Sequence, residues 1–224
     1  MFEQNAENRA IKRPQRLGEE VYRVIYAQLM SLKIPPGGRI SVDGLARELE
    51  VSQTPIREAL HRLEAQGLVI KTHLVGYSAA QQMPRSRFDQ LYELRFLLEP
   101  FAAGRAAVNM NEENLARLEQ LLAEMQAVSR DKSRSSYGEF AQRDGEFHNM
   151  IAINSGNDLV AETLAGLHTH VHLFRLVFHS NTTKVAVEEH EQIVDCIRRR
   201  DSQGAEAAMR THLERSKQRF SDAV

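Results

Sequence analysis

The chain has 224 residues, 42% hydrophobic and 26% charged, with a formal net charge of -1. That balance excludes a disordered polyelectrolyte and leaves room for one large domain or two of ordinary size. Overall charge points to no polyanionic partner, so a nucleic-acid footprint has to be local; the single cysteine, Cys196, excludes an intrachain disulfide.

Residues 1 to about 16 are polar and mixed in charge and read as a flexible arm. They lack a signal peptide's apolar core, and no apolar run is long enough to span a bilayer; a soluble cytoplasmic protein with no membrane partner is expected. From Leu17 an apolar stripe continues through Val21, Val24, Ile25, Leu29 and Leu32 at helical spacing. It stops at Ile34-Pro35-Pro36-Gly37-Gly38, a breaker cluster. Two shorter helices are predicted at 42–49 and 53–66, then two strands at 68–71 and 77–80 joined through Gly76. After Met83-Pro84, helical patterns run over 84–108, 112–128, 136–154, 158–179, 183–199 and 202–220. A boundary near residue 82 therefore separates a small winged module, 17–82, from a helical region, 83–224. The expected fold is mainly α: a winged helix-turn-helix followed by an antiparallel bundle of about six helices.

Within the first module, Leu45, Ala46 and Leu49 form one apolar face, Val51 sits in a turn, and Ile56, Leu60 and Leu63 form the face of the next helix. Ser52 can cap that helix, and Pro55 is tolerated in its first turn. Two short helices around a tight turn with an apolar plug make a helix-turn-helix. Gln53, Thr54, Arg57, His61 and Arg62 then lie on the polar sides of the second helix, with donors suited to base edges and phosphates. Lys71, Thr72 and His73 in the wing can reach the backbone or minor groove. The plainer alternative is a solvated helix face.

Among the histidines, position matters more than number. Asp144 and His148 are one helical turn apart, beside Phe147, Ile151 and Ala152. His190 lies with Ala186, Ile193, Val194 and Ile197, and His212 with Ala205, Ala208, Met209 and Leu213. Three helices thus turn imidazole or carboxylate towards an apolar interior, where an unpaired polar group is costly. Any one of these histidines alone reads as a hydrogen-bonded core residue. Together with the carboxylate, they suit a divalent transition metal: zinc first, with manganese, nickel and iron as alternatives. The run Arg198-Arg199-Arg200-Asp201 reads as a helix end followed by a helix cap.

The segment VSQTPIREALHRLEAQGLV, with PPGGRI before it and the glycine-containing wing after it, resembles the GntR superfamily of bacterial transcriptional regulators. The second half resembles the ligand-binding FCD domain of that superfamily's FadR branch. The resemblance implies homodimers on a palindromic double-stranded DNA operator, and Asp144, His148, His190 and His212 as metal ligands. It also implies that open metal positions take water or a carboxylate oxygen of an effector. Many relatives carry arginine where this chain has Asp43 and Gln53, which implies a different operator; Arg57 is retained.

Arg95 is a candidate clamp for an acidic effector, since a guanidinium binds a carboxylate bidentately. His168, His172, Arg175 and His179, beside the Leu167/Val171/Phe174/Phe178 stripe, either line a pocket or form a wet surface or dimer contact. The expected function is a ligand-responsive repressor or activator sensing a small carboxylate, and not an enzyme. One rival is a metalloenzyme with a fused nucleic-acid module, because a metal with open positions can activate water; no further nucleophile or carboxylate motif supports it. Another is a regulator whose metal is purely structural.

Overall fold

The computed structural model describes residues 15–131, 133–176 and 180–224. The flexible-arm expectation for residues 1–14, and His179, fall outside them. The first helix, α1 (Gln15–Met30), buries Val21, Tyr22, Ile25, Leu29 and Met30 and packs on α3 (Gln53–Ala65). Between them lies α2 (Val42–Glu48), whose first turn is closed by the Ser41 hydroxyl accepting from the Gly44 amide at 3.0 Å. Ile56, Ala59, Leu60 and Leu63 fill the α3 core face. Ser52 occupies the cap position of α3 with extended backbone, but its side chain makes no capping hydrogen bond, contrary to expectation.

Strands β2 (Val69–Thr72) and β3 (Gly76–Ala79) form the predicted antiparallel wing, in the register Val69↔Ala79 and Thr72↔Gly76. A two-residue strand, β1 (Arg39–Ile40), adds to the other edge of β3. Sequence reading missed it because two residues carry no periodicity.

Among the described residues seven helices follow: α4 (Arg85–Asn109), α5 (Glu112–Ser129), α6 (Arg134–Ile153), α7 (Asp158–Gly166), α8 (Thr169–Phe174), α9 (Ser180–Arg198) and α10 (Ser202–Ser221). Asn111, Asn157 and Asp201 cap α5, α7 and α10 with side-chain oxygens, and Asp201 ends the arginine run as anticipated. Helix α4 packs along α10, α10 along α9, α9 against α5, and α5 against α6. The segment expected as one helix over 158–179 is broken: His168 adopts a left-handed conformation (φ 47°), and the chain turns before α8 begins. The apolar spacing runs across this break, which is why sequence periodicity did not register it. The turn seats α8 against α6.

The two halves touch through specific bonds. Tyr26 Oη donates to the Gly138 carbonyl at 3.1 Å, Arg175 Nη2 to the Ala80 carbonyl at 2.8 Å, and Gln82 Nε2 to the Arg175 carbonyl at 3.0 Å. Among the described residues, no helix is long and apolar enough to cross a membrane.

Candidate functional site

On the winged module, Gln53, Thr54, Arg57, His61, Arg62, Lys71 and His73 are all exposed. Arg57 and Asp43 line a concave cleft with Arg39, Val75 and Tyr77, between the start of α2, α3 and the wing. Asp43 Oδ1 accepts from Gln53 Nε2 at 2.5 Å, and Gln53 Oε1 accepts from Arg57 Nη2 at 3.1 Å. The two residues noted for departing from the family pattern thus hold each other, and through Gln53 they steady Arg57. Arg62 faces elsewhere: its guanidinium stacks over Tyr22 at 3.9 Å and bonds Glu19 at 3.0 Å, tying α3 to α1. Arg39, beside the PPGG breaker, was missed because it belongs to no helical pattern.

The four expected metal ligands do come together. Helix α6 contributes Asp144 and His148, α9 contributes His190, and α10 contributes His212; all four are buried. His148, His190 and His212 each offer a nitrogen, all within 4.8 Å of one another. His148 Nδ1 lies 2.6 Å from Glu99 Oε2, and His212 Nδ1 lies 2.8 Å from Glu189 Oε2. An ionised carboxylate can only accept, so each Nδ1 donates to its glutamate and leaves Nε2 as the ring nitrogen free to face the cluster. His190 Nε2 stands 3.3 Å from both His148 Nε2 and Asp144 Oδ1. Donor atoms of a tetrahedral site with bonds near 2.0–2.1 Å are separated by about 3.3 Å, so these spacings fit a bound cation.

The unsatisfied atoms agree. Asp144 Oδ1 is buried without a hydrogen-bond partner, while Asp144 Oδ2 is engaged by His170 Nδ1 at 2.7 Å. Buried polar atoms are normally paired; a carboxylate held by one oxygen and bare at the other, beside buried imidazoles, is a group that could hold a cation. Burial holds His190 and His212 well below the ordinary imidazole range, helped by neighbouring histidines, so both stay neutral as ligands require. Burial raises Asp144, but the imidazoles of His170, His190 and His148 outweigh it and keep the carboxyl acidic.

Glu99, Glu189 and His170 escaped sequence reading. The two glutamates back the ligands, and they are backed in turn. Arg95 Nε donates to Glu99 at 2.5 Å, and Arg219 donates to both oxygens of Glu189 at 2.7 and 2.9 Å. Carboxylate–histidine pairs of this kind fix ring orientation and raise ligand basicity.

The expected effector residues divide. Arg95 is 1% exposed and lies at the centre, where it lines a small chamber of about 10 Å³ with Asp144, His170, His212 and Arg219. Arg95 Nη1 and Arg219 Nε lack partners. His168 lines a second, larger cavity of 340 Å³, walled by Tyr22, Tyr26 and Gln66 from the winged module and by Glu99, His148 and His170 from the bundle. The His168 ring also bonds the backbone of Ala65, at the end of α3. His172 Nε2 lies so near Gly67 (φ 68°) that a β-carbon there would meet it at 3.1 Å, and Arg175 reaches Ala80. His172 and Arg175 therefore sit at the seam between the two halves.

Comparison with known proteins follows the same division. Residues 17–77 match the family described as bacterial regulatory proteins, gntR family, and residues 90–215 match the FCD domain. The HTH-type transcriptional regulator LutR of Bacillus subtilis (strain 168) is 32% identical over 207 residues, spanning 81% of this chain and 90% of LutR. The Nta operon transcriptional regulator of Aminobacter aminovorans is 29% identical, spanning 83% of this chain and 86% of that protein. Among solved structures, Escherichia coli McbR/YncC shares the fold with a TM-score of 0.68 at 20% identity, covering 92% of this chain and 97% of that one.

Proposed function

The chain belongs to the gntR family of bacterial regulatory proteins, in the group with an FCD domain; it is a transcriptional regulator, and we propose that it acts as a homodimer whose metal-containing bundle senses a small organic acid. Residues 17–82 are the DNA-reading part and residues 83–224 the sensing part. In this reading Asp144, His148, His190 and His212 hold a divalent metal, zinc first among the candidates. The observation that carries it is the convergence of one bare carboxylate oxygen and three imidazoles, two of them backed by glutamate, at cation-binding distances.

When bound, the metal supplies a Lewis-acidic position for an oxygen ligand. The protein supplies the rest. Arg95 Nη1 and Arg219 Nε are unsatisfied donors beside that position, suited to an effector carboxylate. The chamber holds about one water, room for one oxygen of a carboxylate, while the 340 Å³ cavity has room for the body of a small acid. His172 and Arg175, considered above as effector ligands, contribute from the seam instead.

On DNA, in the cytoplasm, Gln53, Thr54, Arg57, His61, Lys71 and His73 contact a palindromic operator through two recognition helices about one DNA turn apart. An effector alters DNA affinity by binding the free and DNA-bound arrangements unequally. The test is thermal melting against a panel of small organic acids, with and without chelator. An acid that raises the melting temperature only when metal is present is the expected result, since ligands of the native state raise apparent stability. Chelation that lowers the melting temperature without altering any acid response would make the metal structural and overturn the sensing role.

A further inference from the structure

Three features meet at His170. It holds the outer oxygen of Asp144 at 2.7 Å, leaving the inner oxygen free. It lines both the small chamber and the 340 Å³ cavity, and so stands as the partition between them. It also sits in the first turn of α8, a six-residue helix whose far end is fastened to the winged module. There Arg175, almost fully buried, donates to the Ala80 carbonyl at the exit of β3, and Gln82 donates back to the Arg175 carbonyl.

We propose that His170 is a positioning residue for the metal centre and the point at which the state of that centre reaches the DNA-reading half. The inference rests on the metal reading above. His170 aims Asp144 by holding the oxygen that the cation does not need; hydrogen bonds of this type to a ligating carboxylate are what fix its orientation. With a cation held on Oδ1 the Asp144 carboxylate would be fixed in place, and its hydrogen bond with His170 would carry that fixed position into α8. An acid that crosses from the larger cavity to the metal passes His170 and moves the same lever. Because α8 spans only about 9 Å at 1.5 Å per residue, displacement at His170 is delivered to Arg175 with little slack, and from there to Ala80 and Gln82. The α7–α8 break, with His168 against Ala65, seats this short helix along the seam.

The probe is zinc alone, on the full chain. Zinc affinity is measured by competition with a chromophoric chelator, and backbone hydrogen exchange is followed with and without zinc. In the wild-type chain, zinc slows exchange around Asp144 and also across residues 76–82. His170→Leu weakens zinc binding about 10–100-fold and loses the zinc-dependent protection of 76–82 even at saturating metal. His170→Gln, which keeps an amide donor for Asp144, recovers most of the affinity. Arg175→Met leaves zinc affinity within about twofold of wild type, since it touches no ligand, but loses the protection of 76–82; opening free energies read in this way are local quantities.

Zinc affinity and protection in His170→Leu equal to wild type would overturn the proposal. So would Arg175→Met that still protects 76–82, or wild-type chain that binds zinc without any change there; in each of these cases the metal reading stands. A wild-type chain that binds none of zinc, manganese, nickel and iron overturns both.

Discussion

At the scale of single residues, titration at the seam ties stability to acidity. Burial, then the nearby Arg175, His168 and Arg87, push the His172 imidazole down to about 4. An unfolded chain returns it to about 6.5, so between these values the unfolded state binds the proton and the native state does not. The contribution is fully present above pH 6.5 and is lost as pH falls towards 4. Urea unfolding at pH 7 and pH 5 should show the wild type losing more stability on acidification than His172→Gln. Equal losses would mean that His172 is not buried against Gly67 as described.

Residues also show where sequence reading stops. Asp144, His148, His190 and His212 stood out because each interrupts an apolar helical face, which periodicity records. Glu99, Glu189 and His170 act through another side chain. His170 meets Asp144 across 26 positions of sequence and Glu99 meets His148 across 49, and no spacing rule contains such a contact. Arg95 was singled out as an effector clamp; its partnership with Glu99, one turn along α4, holds it beside Asp144 and His212, with one Nη left over.

At the scale of elements, helices were the most legible part. Breakers at Pro35–Gly38 and caps such as Asn111, Asn157 and Asp201 lie where the chain changes direction. The α7–α8 break was hidden because its cause is tertiary: α8 has to lie against α6 for His170 to reach Asp144. On α3, Arg57 is steadied by Gln53 and lies in the cleft shared with the wing. Arg57→Ala should weaken operator binding by about 1–3 kcal/mol through loss of a bidentate base contact, read by fluorescence anisotropy, with metal content unchanged. Loss of metal along with DNA affinity would point to a folding defect rather than a lost contact.

At the scale of the whole molecule, several large apolar side chains have no covering partner among the described residues. Leu97 and Val108 on α4 are 73% and 60% exposed, Leu159 on α7 is 75% exposed, and Phe101 and Ile153 lie among the exposed apolar side chains. Large exposed apolar patches mark association surfaces, and in the proposed homodimer a second copy of the chain is the occupant assigned to these side chains. Leu97→Glu combined with Leu159→Glu should shift sedimentation from dimer towards monomer and lower operator affinity, while zinc content is kept. A double variant that sediments as the wild type would place the dimer contact on another face.

On the proposed metal reading, the glutamates and arginines around Asp144 and the three histidines carry one more consequence, in electroneutrality. Asp144, Glu99 and Glu189 are three anions bonded directly to the imidazole ring set, and Arg95 and Arg219 are the two cations bonded to the glutamates inside the bundle; Arg215, 3.9 Å from Glu189 and 54% exposed, is screened by water. A divalent ion added to that group leaves one uncompensated positive charge in a region largely closed to water, where net charge is costly. A monoanion neutralises the group; a neutral molecule leaves the surplus and a dianion reverses it. In the proposed sensing role these buried charges would select for valence, favouring effectors that bring a single carboxylate to the ion and carry any further charge out into the wider cavity.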